Sequence, residues 1–196
     1  MPLDEAQLAQ FDRYLDLLVR WNAKIKLTSI TEPTLVVERH FLDSLAVVGA
    51  LRGESLVDVG AGAGFPGVVV AIVRPALRIT LVESIQKKAA FLEALKRELG
   101  LPGITVRAER MEALVARGAT FHSAVSRATF APEEWLERGA ALVAPGGTLI
   151  GMVVPEVGRD LAQWAPGWAE RFKSGTLGEA YAPGRALVVL SGRRPA

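Results

Sequence analysis

Cysteine is absent from the 196-residue chain and histidine occurs only twice, which removes a disulfide framework, thiolate chemistry and a Cys/His metal centre from the functions to weigh. Long hydrophobic runs are missing as well. Stretches such as Val68 to Val73 are far shorter than the roughly 20 residues that a membrane-spanning helix needs, so no membrane association is expected. Acidic and polar residues open the chain where a secretory leader would have a basic segment and an apolar run, and the expected compartment is the cytoplasm. Neither sign of charge dominates: the net charge is +2, which permits an anionic partner without demanding one. Compositional bias is absent too, with 50% hydrophobic and 22% charged residues, and without repeats or low-complexity tracts disorder and fibrous architectures drop out. The length suits one domain with a small appendage, and a monomer is expected.

Glycine, by contrast, is concentrated. Leu56 to Val59 reads as a buried strand, and Gly60, Gly62, Gly64 and Gly67 follow at short intervals, letting the backbone turn sharply and approach a ligand. Pro66 suits a first helical position and Val68 to Val73 continues the helix, so the unit is strand, glycine loop, helix. Two ligand classes use such a cradle. Gly62-Ala-Gly64-Phe-Pro-Gly67 fits the dinucleotide motif G-x-G-x-x-G, with a pyrophosphate at the helix N-terminus. Read from Asp58, the same residues fit D-x-G-x-G-x-G, the loop of S-adenosylmethionine-dependent methyltransferases, where the acid suits an ammonium and backbone N–H groups suit a carboxylate. Asp58 therefore favours the methyl donor. An NAD-type oxidoreductase and a tight turn with no ligand stay open at this point.

The rest of the chain reads as a helical cap, 1–52, before a ligand-binding domain, 53–196. Leu8, Phe11, Leu15, Leu18, Trp21 and Ile25 recur at helical spacing, so Asp4 to about Lys24 is predicted as an amphipathic helix. A second helix is predicted from Thr31-Glu-Pro33 to about Leu51, with His40 and Asp43 on one face, read as a local hydrogen bond that fixes helix packing ahead of a catalytic role. Strands are predicted at Arg78–Glu83, Ile104–Ala108, Ser123–Arg127, Gly147–Val154 and Leu187–Leu190. Helices are predicted at Gln86–Leu99, burying Ala90, Leu92, Leu95 and Leu99, and at Pro132–Leu142 and Val157–Trp164. Such alternation argues an α/β fold with a mainly parallel sheet, helices on both faces, and a ligand beyond the carboxyl ends of the strands. Gly60, Glu83, Glu112 and Arg127 all fall at or after such ends. Glu83, just over 20 residues past the loop, is expected to take the hydroxyls of an adenosine ribose; a solvated strand-end acid is the plainer alternative.

The order of motifs resembles the family of bacterial small-subunit rRNA guanine-N7 methyltransferases, known as RsmG or glucose-inhibited division protein B. The resemblance is carried by Trp21-Asn22, Leu27-Thr28, Arg39-His40-Phe-Leu-Asp43-Ser44, Asp58 to Gly67, Arg74-Pro75, Thr80 to Ser84, Lys87-Lys88, Arg110-Met-Glu112 and Ser126-Arg127-Ala128. It implies a Rossmann-like class I methyltransferase fold, S-adenosylmethionine as methyl donor, 16S rRNA or the small ribosomal subunit as partner, and no metal. It also implies donor contacts at Gly60, Phe65, Met111, Glu112 and Arg127. Three segments depart from the family pattern: Val153-Val154 stands for Lys-Gly, Arg185-Ala186 for Arg-His, and Lys26 for an Asn. Lys24, Lys26, Lys87, Lys88, Arg127 and Arg185 are the candidate phosphate contacts, a solvated surface charge being the plainer reading of each. Another nucleobase or a small molecule as acceptor, and a binding protein that keeps the donor site as a relic, are the remaining alternatives.

Overall fold

The computed structural model describes residues 2–154, 167–177 and 185–195. Helix α1 (Glu5–Asn22) starts at a capping box, in which the Asp4 side chain accepts from the Gln7 amide and the Gln7 side chain accepts from the Asp4 amide. Phe11, Tyr14, Leu17 and Leu18 form its buried stripe. Leu8, expected on that stripe, is half exposed; Gln7 and Gln10 face the body there instead. Their Nε2 groups donate to Ile72 O (3.1 Å) and Leu99 O (2.8 Å), carbonyls at the C-terminal ends of two later helices, where no intrahelical partner exists.

The expected second helix, α2 (33–50), is not uniform. An α turn at Pro33–Val36 passes into a π turn at Val37–Leu42, then an α turn at Asp43–Leu45 and a 3₁₀ turn at Ala46–Ala50. A π turn inserts extra backbone and redirects side chains, a distortion common at functional sites.

The order continues as β1 (Ser55–Val59), α3 (Gly67–Val73), β2 (Arg78–Val82), α4 (Gln86–Glu98), β3 (Ile104–Arg107), α5 (Met111–Ala116), β4 (Phe121–Arg127), α6 (Pro132–Gly139), β5 (Val143–Val153), α7 (Trp168–Arg171), β6 (Phe172–Leu177) and β7 (Ala186–Arg193). The strands lie in the order β3-β2-β1-β4-β5-β7-β6. Neighbours from β3 to β5 are parallel, whereas β7 runs antiparallel to β5 and β6 antiparallel to β7. The sheet is thus mainly parallel, as expected, with an antiparallel edge. In α4, Ala90 is exposed while Leu92, Leu95 and Leu99 are buried: at 100° per residue Ala90 points away from those three. The helix expected at Val157–Trp164 lies outside the described residues.

Strand alternation divides the apolar residues between two cores. Leu56 joins α1, α3 and α4 on one face, while Val57 and Val59 join α5, α6 and β7 on the other. The helical cap shares the first core with the sheet, since Phe11, Tyr14 and Leu18 pack with Phe65 and Val68. No helix among the described residues is long and apolar enough to cross a membrane.

Candidate active site

A cavity of about 520 Å³ opens beyond the carboxyl ends of β1 to β4. Of the residues expected to bind the donor, Gly60, Gly62, Phe65, Glu83, Met111, Glu112 and Arg127 line it. Gly64 and Asp58 do not. The loop after β1 is held in place by several separate devices. Gly60 and Ala61 donate backbone N–H groups to Val82 O (2.9 and 3.1 Å), which turns the chain back across the end of β2. Gly62, at φ of 56°, has nothing closer to an added Cβ than Gly60 O at 3.7 Å, so a side chain there would project into open space beside the cavity. Gly64 gives way to Tyr14, whose hydroxyl would stand 2.6 Å from such a Cβ and donates to Ala63 O at 2.6 Å.

Asp58 lies beneath this loop, fully buried. Its Oδ2 accepts from the Gly67 amide at 2.8 Å, tying the end of β1 to the first turn of α3, while Oδ1 has no hydrogen-bond partner among the described residues. Burial pushes its carboxyl up to about 7, outweighing the Gly67 hydrogen bond and the Arg127 charge that favour ionisation. Glu83, just past β2, is also buried but faces the cavity. Oε2 accepts from Gly62 N at 3.0 Å and Oε1 from Ile85 N at 2.8 Å. Each carboxylate oxygen keeps a further acceptor site for a ligand.

The opposite wall was less legible. His40 and Asp43, expected to make a local packing contact, both turn to Arg127 at the end of β4. Arg127 Nη1 donates to Asp43 Oδ2 (3.2 Å) and Arg39 O (3.3 Å), and Nη2 lies 3.2 Å from His40 Nδ1. The π turn makes this clamp by bringing a carbonyl and two side chains from one stretch of α2 to one guanidinium. Arg185 Nε approaches Asp43 Oδ1 at 3.9 Å from the other side. The His40 ring stacks on Phe65 (4.5 Å between centroids, 22°), over which the Arg127 guanidinium also lies at 5.1 Å. His40 Nε2 is 2.9 Å from Thr28 Oγ1, and Nδ1 is 3.0 Å from Arg39 O. Either neutral tautomer of the ring finds partners here, whereas a proton on both nitrogens would set a second cation against Arg127. Burial first, and then the Arg127 charge, accordingly pull the ring down to about 4.

Glu112 is engaged by Arg138 of α6, which also donates to Glu134 and lies over the Phe130 ring. Arg138 is a cavity residue that no local sequence pattern singled out, and Thr28, part of the Leu27-Thr28 motif, lines the cavity although no site role was expected of it. Among the candidate phosphate contacts, Lys88 and Arg127 reach the cavity, while Lys24, Lys26 and Lys87 are exposed away from its lining.

The family model for rRNA small subunit methyltransferase G, GidB, matches residues 7–154. The chain belongs to this family. Members of the GidB family similar to it include the ribosomal RNA small subunit methyltransferase G of Anaeromyxobacter dehalogenans, 43% identical over 81% of this chain and 75% of that protein. That of Stenotrophomonas maltophilia is 38% identical over 98% of this chain and 90% of its own. Solved structures of similar fold include the O-methyltransferase from Bacillus cereus in complex with SAH, at a TM-score of 0.63 and 16% identity over 92% of this chain and 91% of that one. A variant of MtNAS in complex with S-adenosylmethionine also scores 0.63 at 16% identity, over 96% of this chain and 76% of that one. At such identity these last two support the Rossmann-like class I methyltransferase fold.

Proposed function

We propose that this chain transfers the methyl group of S-adenosylmethionine to N7 of a guanine in 16S rRNA, as a cytoplasmic monomer. The observation that carries the proposal is the convergence of the glycine loop, Glu83, Met111 and Arg127 on one cavity in a member of the GidB family. The residues fit the donor chemically. Gly62 leaves room that any side chain would fill, and Glu83 offers two carboxylate oxygens where a ribose diol needs acceptors. Asp58, sealed from the cavity, acts by holding Gly67 and shaping the loop; its suggested role as direct ammonium partner gives way to this one. When bound, the donor supplies an electrophilic methyl on a sulfonium.

Guanine N7 carries no proton at neutral pH, so its lone pair needs no general base. The chain's task is to orient the base and exclude water. Of the five N–H groups of Arg127, those directed to Asp43, Arg39 and His40 leave Nε–H and one Nη2–H for a carbonyl oxygen such as guanine O6. Asp43 offsets the guanidinium charge, so the wall does not oppose the positive charge that passes to the purine. His40 keeps the guanidinium in plane and stays neutral. The test is to incubate the protein with small ribosomal subunits and labelled S-adenosylmethionine, then digest the rRNA and analyse it by mass spectrometry. Label recovered as 7-methylguanosine from 16S rRNA is expected; label in another nucleoside, or none, overturns the proposal.

A further inference from the structure

Strand β4 leaves the sheet through two residues of unusual geometry. Ala128 has φ of 54°, alone among the described non-glycine residues in the left-handed region, a conformation that persists only where the surroundings impose it. Thr129 follows, and its Oγ1 lies 3.2 Å from Arg127 O, 3.3 Å from Gly60 O and 3.5 Å from Val59 O. A hydroxyl has one hydrogen, so three carbonyls from the ends of two neighbouring strands share it. Gly60 complements this from the other side. A Cβ on Gly60 would overlap the Thr129 side chain, with Thr129 Cβ at 2.7 Å; the first glycine of the loop is therefore shaped to receive Thr129 as well as to turn.

We propose that Thr129 is a positioning residue, which latches the turn after β4 onto the glycine loop and so fixes Arg127 relative to the donor site. The inference rests on the proposed methyl transfer. The register between β1 and β4 ends at Val59 and Ser126, with the Ser126 hydroxyl donating to Val59 O at 2.8 Å. Beyond that pair the two chains diverge, one into the donor loop and the other into the Arg127 wall, and the Thr129 hydroxyl spans the gap. Thr129 is exposed and lines the cavity. Water competes for its hydrogen in the open cavity, and the bond strengthens when ligands exclude that water. Because the latch sets where Arg127 stands relative to the donor site, its loss falls on the alignment needed for transfer more than on donor binding.

The experiment compares T129V, which keeps the shape and loses the hydrogen, with T129S, which keeps the hydroxyl. Each variant and the unsubstituted protein are measured for donor affinity by calorimetry, and for single-turnover transfer to small ribosomal subunits at saturating donor and RNA. T129V should transfer roughly five- to tenfold more slowly, the worth of one hydrogen bond, with donor Kd within about threefold. T129S should stay within about twofold of the unsubstituted protein in both. Thermal melts check that T129V is folded, as expected for an exposed side chain; should it not fold, a T129S protein that is itself markedly slow overturns the inference, and one that is not supports it. T129V at full speed, T129S as slow as T129V, or T129V binding the donor more tightly at an unchanged rate each overturn it, the last because the hydroxyl would then only occupy carbonyls that the donor needs. If the unsubstituted protein transfers no methyl, the proposed function fails and this inference with it; transfer that is indifferent to T129V removes the latch alone.

Discussion

Two buried groups at the site respond to pH in opposite senses. Asp58 titrates near 7 in the folded chain against 3.8 when free, so its contribution to stability is complete below pH 3.8 and is lost as the pH rises to about 7. His40 titrates near 4 instead of 6.5; its contribution is complete above pH 6.5 and is lost as the pH falls to about 4. Between those limits the two slopes oppose each other. D58N removes one of them, and relative to the unsubstituted protein it should gain stability progressively from pH 4 to 7, by at most about 4 kcal/mol for a fully buried group shifted by about three units. Urea melts at a series of pH values measure the difference, and a pH-independent difference would mean that Asp58 is ionised throughout. Glu83 supports a prediction of a different kind, because its oxygens bind Gly62 and Ile85 as well as facing the cavity. Glu83→Ala should weaken donor binding by roughly 1.5–3 kcal/mol, and Glu83→Gln, which keeps one carbonyl acceptor, by less. An unchanged affinity in both would leave Glu83 as a support for the loop only.

The strand–loop–helix element separates ligand contact from packing, residue by residue. Gly62 borders open space, whereas a Cβ on Gly67 would stand 2.8 Å from Asp58 Oδ2 and collide with Leu81. G62V should therefore abolish donor binding in calorimetry while costing about 1–3 kcal/mol in a melt for its positive φ. G67A should instead lower the melting temperature sharply, because neighbour and backbone are both fixed. Equal effects of the two on stability would contradict this division. The element was legible in sequence because an apolar run, spaced glycines and a second apolar run are all local signals. Local signals also gave α1, β2 to β5 and α4 within a few residues of their ends. The short edge strand β6 was not legible: Phe172–Leu177 alternates weakly and carries a glycine, and its pairing with β7 is tertiary. The same is true of the site's second wall. Arg127 meets Asp43 across 84 positions of sequence, and nothing local to Arg39–Asp43 shows that a π turn will aim His40 and Asp43 at that guanidinium. The glycine loop, Glu83 and Met111 were each legible at the cavity because each follows a strand end marked by local signals, whereas the bracing of Arg127 was not, because it is made where α2, β4 and Arg185 meet.

At the scale of the whole molecule, a net charge of +2 leaves RNA binding to a few local cations near the cavity, with Lys88, Arg110 and Arg127 at its lining. Replacing one that touches phosphate should reduce the slope of log affinity against log salt by about one; an unchanged slope removes that residue from the interface. The sharper test of the molecule as a machine is the pH dependence of transfer itself. A base-free attack by N7 predicts a flat single-turnover rate between about pH 6 and 9 once donor and RNA are saturating. Saturation matters, because Asp58, titrating near 7 under the loop, would couple pH to donor binding and not to the chemical step. Flatness alone does not remove His40, since a ring titrating near 4 is already neutral across that range and would give a flat profile even as a base. H40Q decides the matter. As a brace for Arg127, His40 can be replaced by an amide that still meets a guanidinium, so H40Q should lower the rate less than tenfold, as expected for losing no more than one hydrogen bond, and leave the profile flat. A general base contributes about 10²–10⁴-fold; a loss of that size in H40Q, with folding and donor affinity intact, would make His40 a proton acceptor and the methylated atom one that carries a hydrogen, which N7 does not.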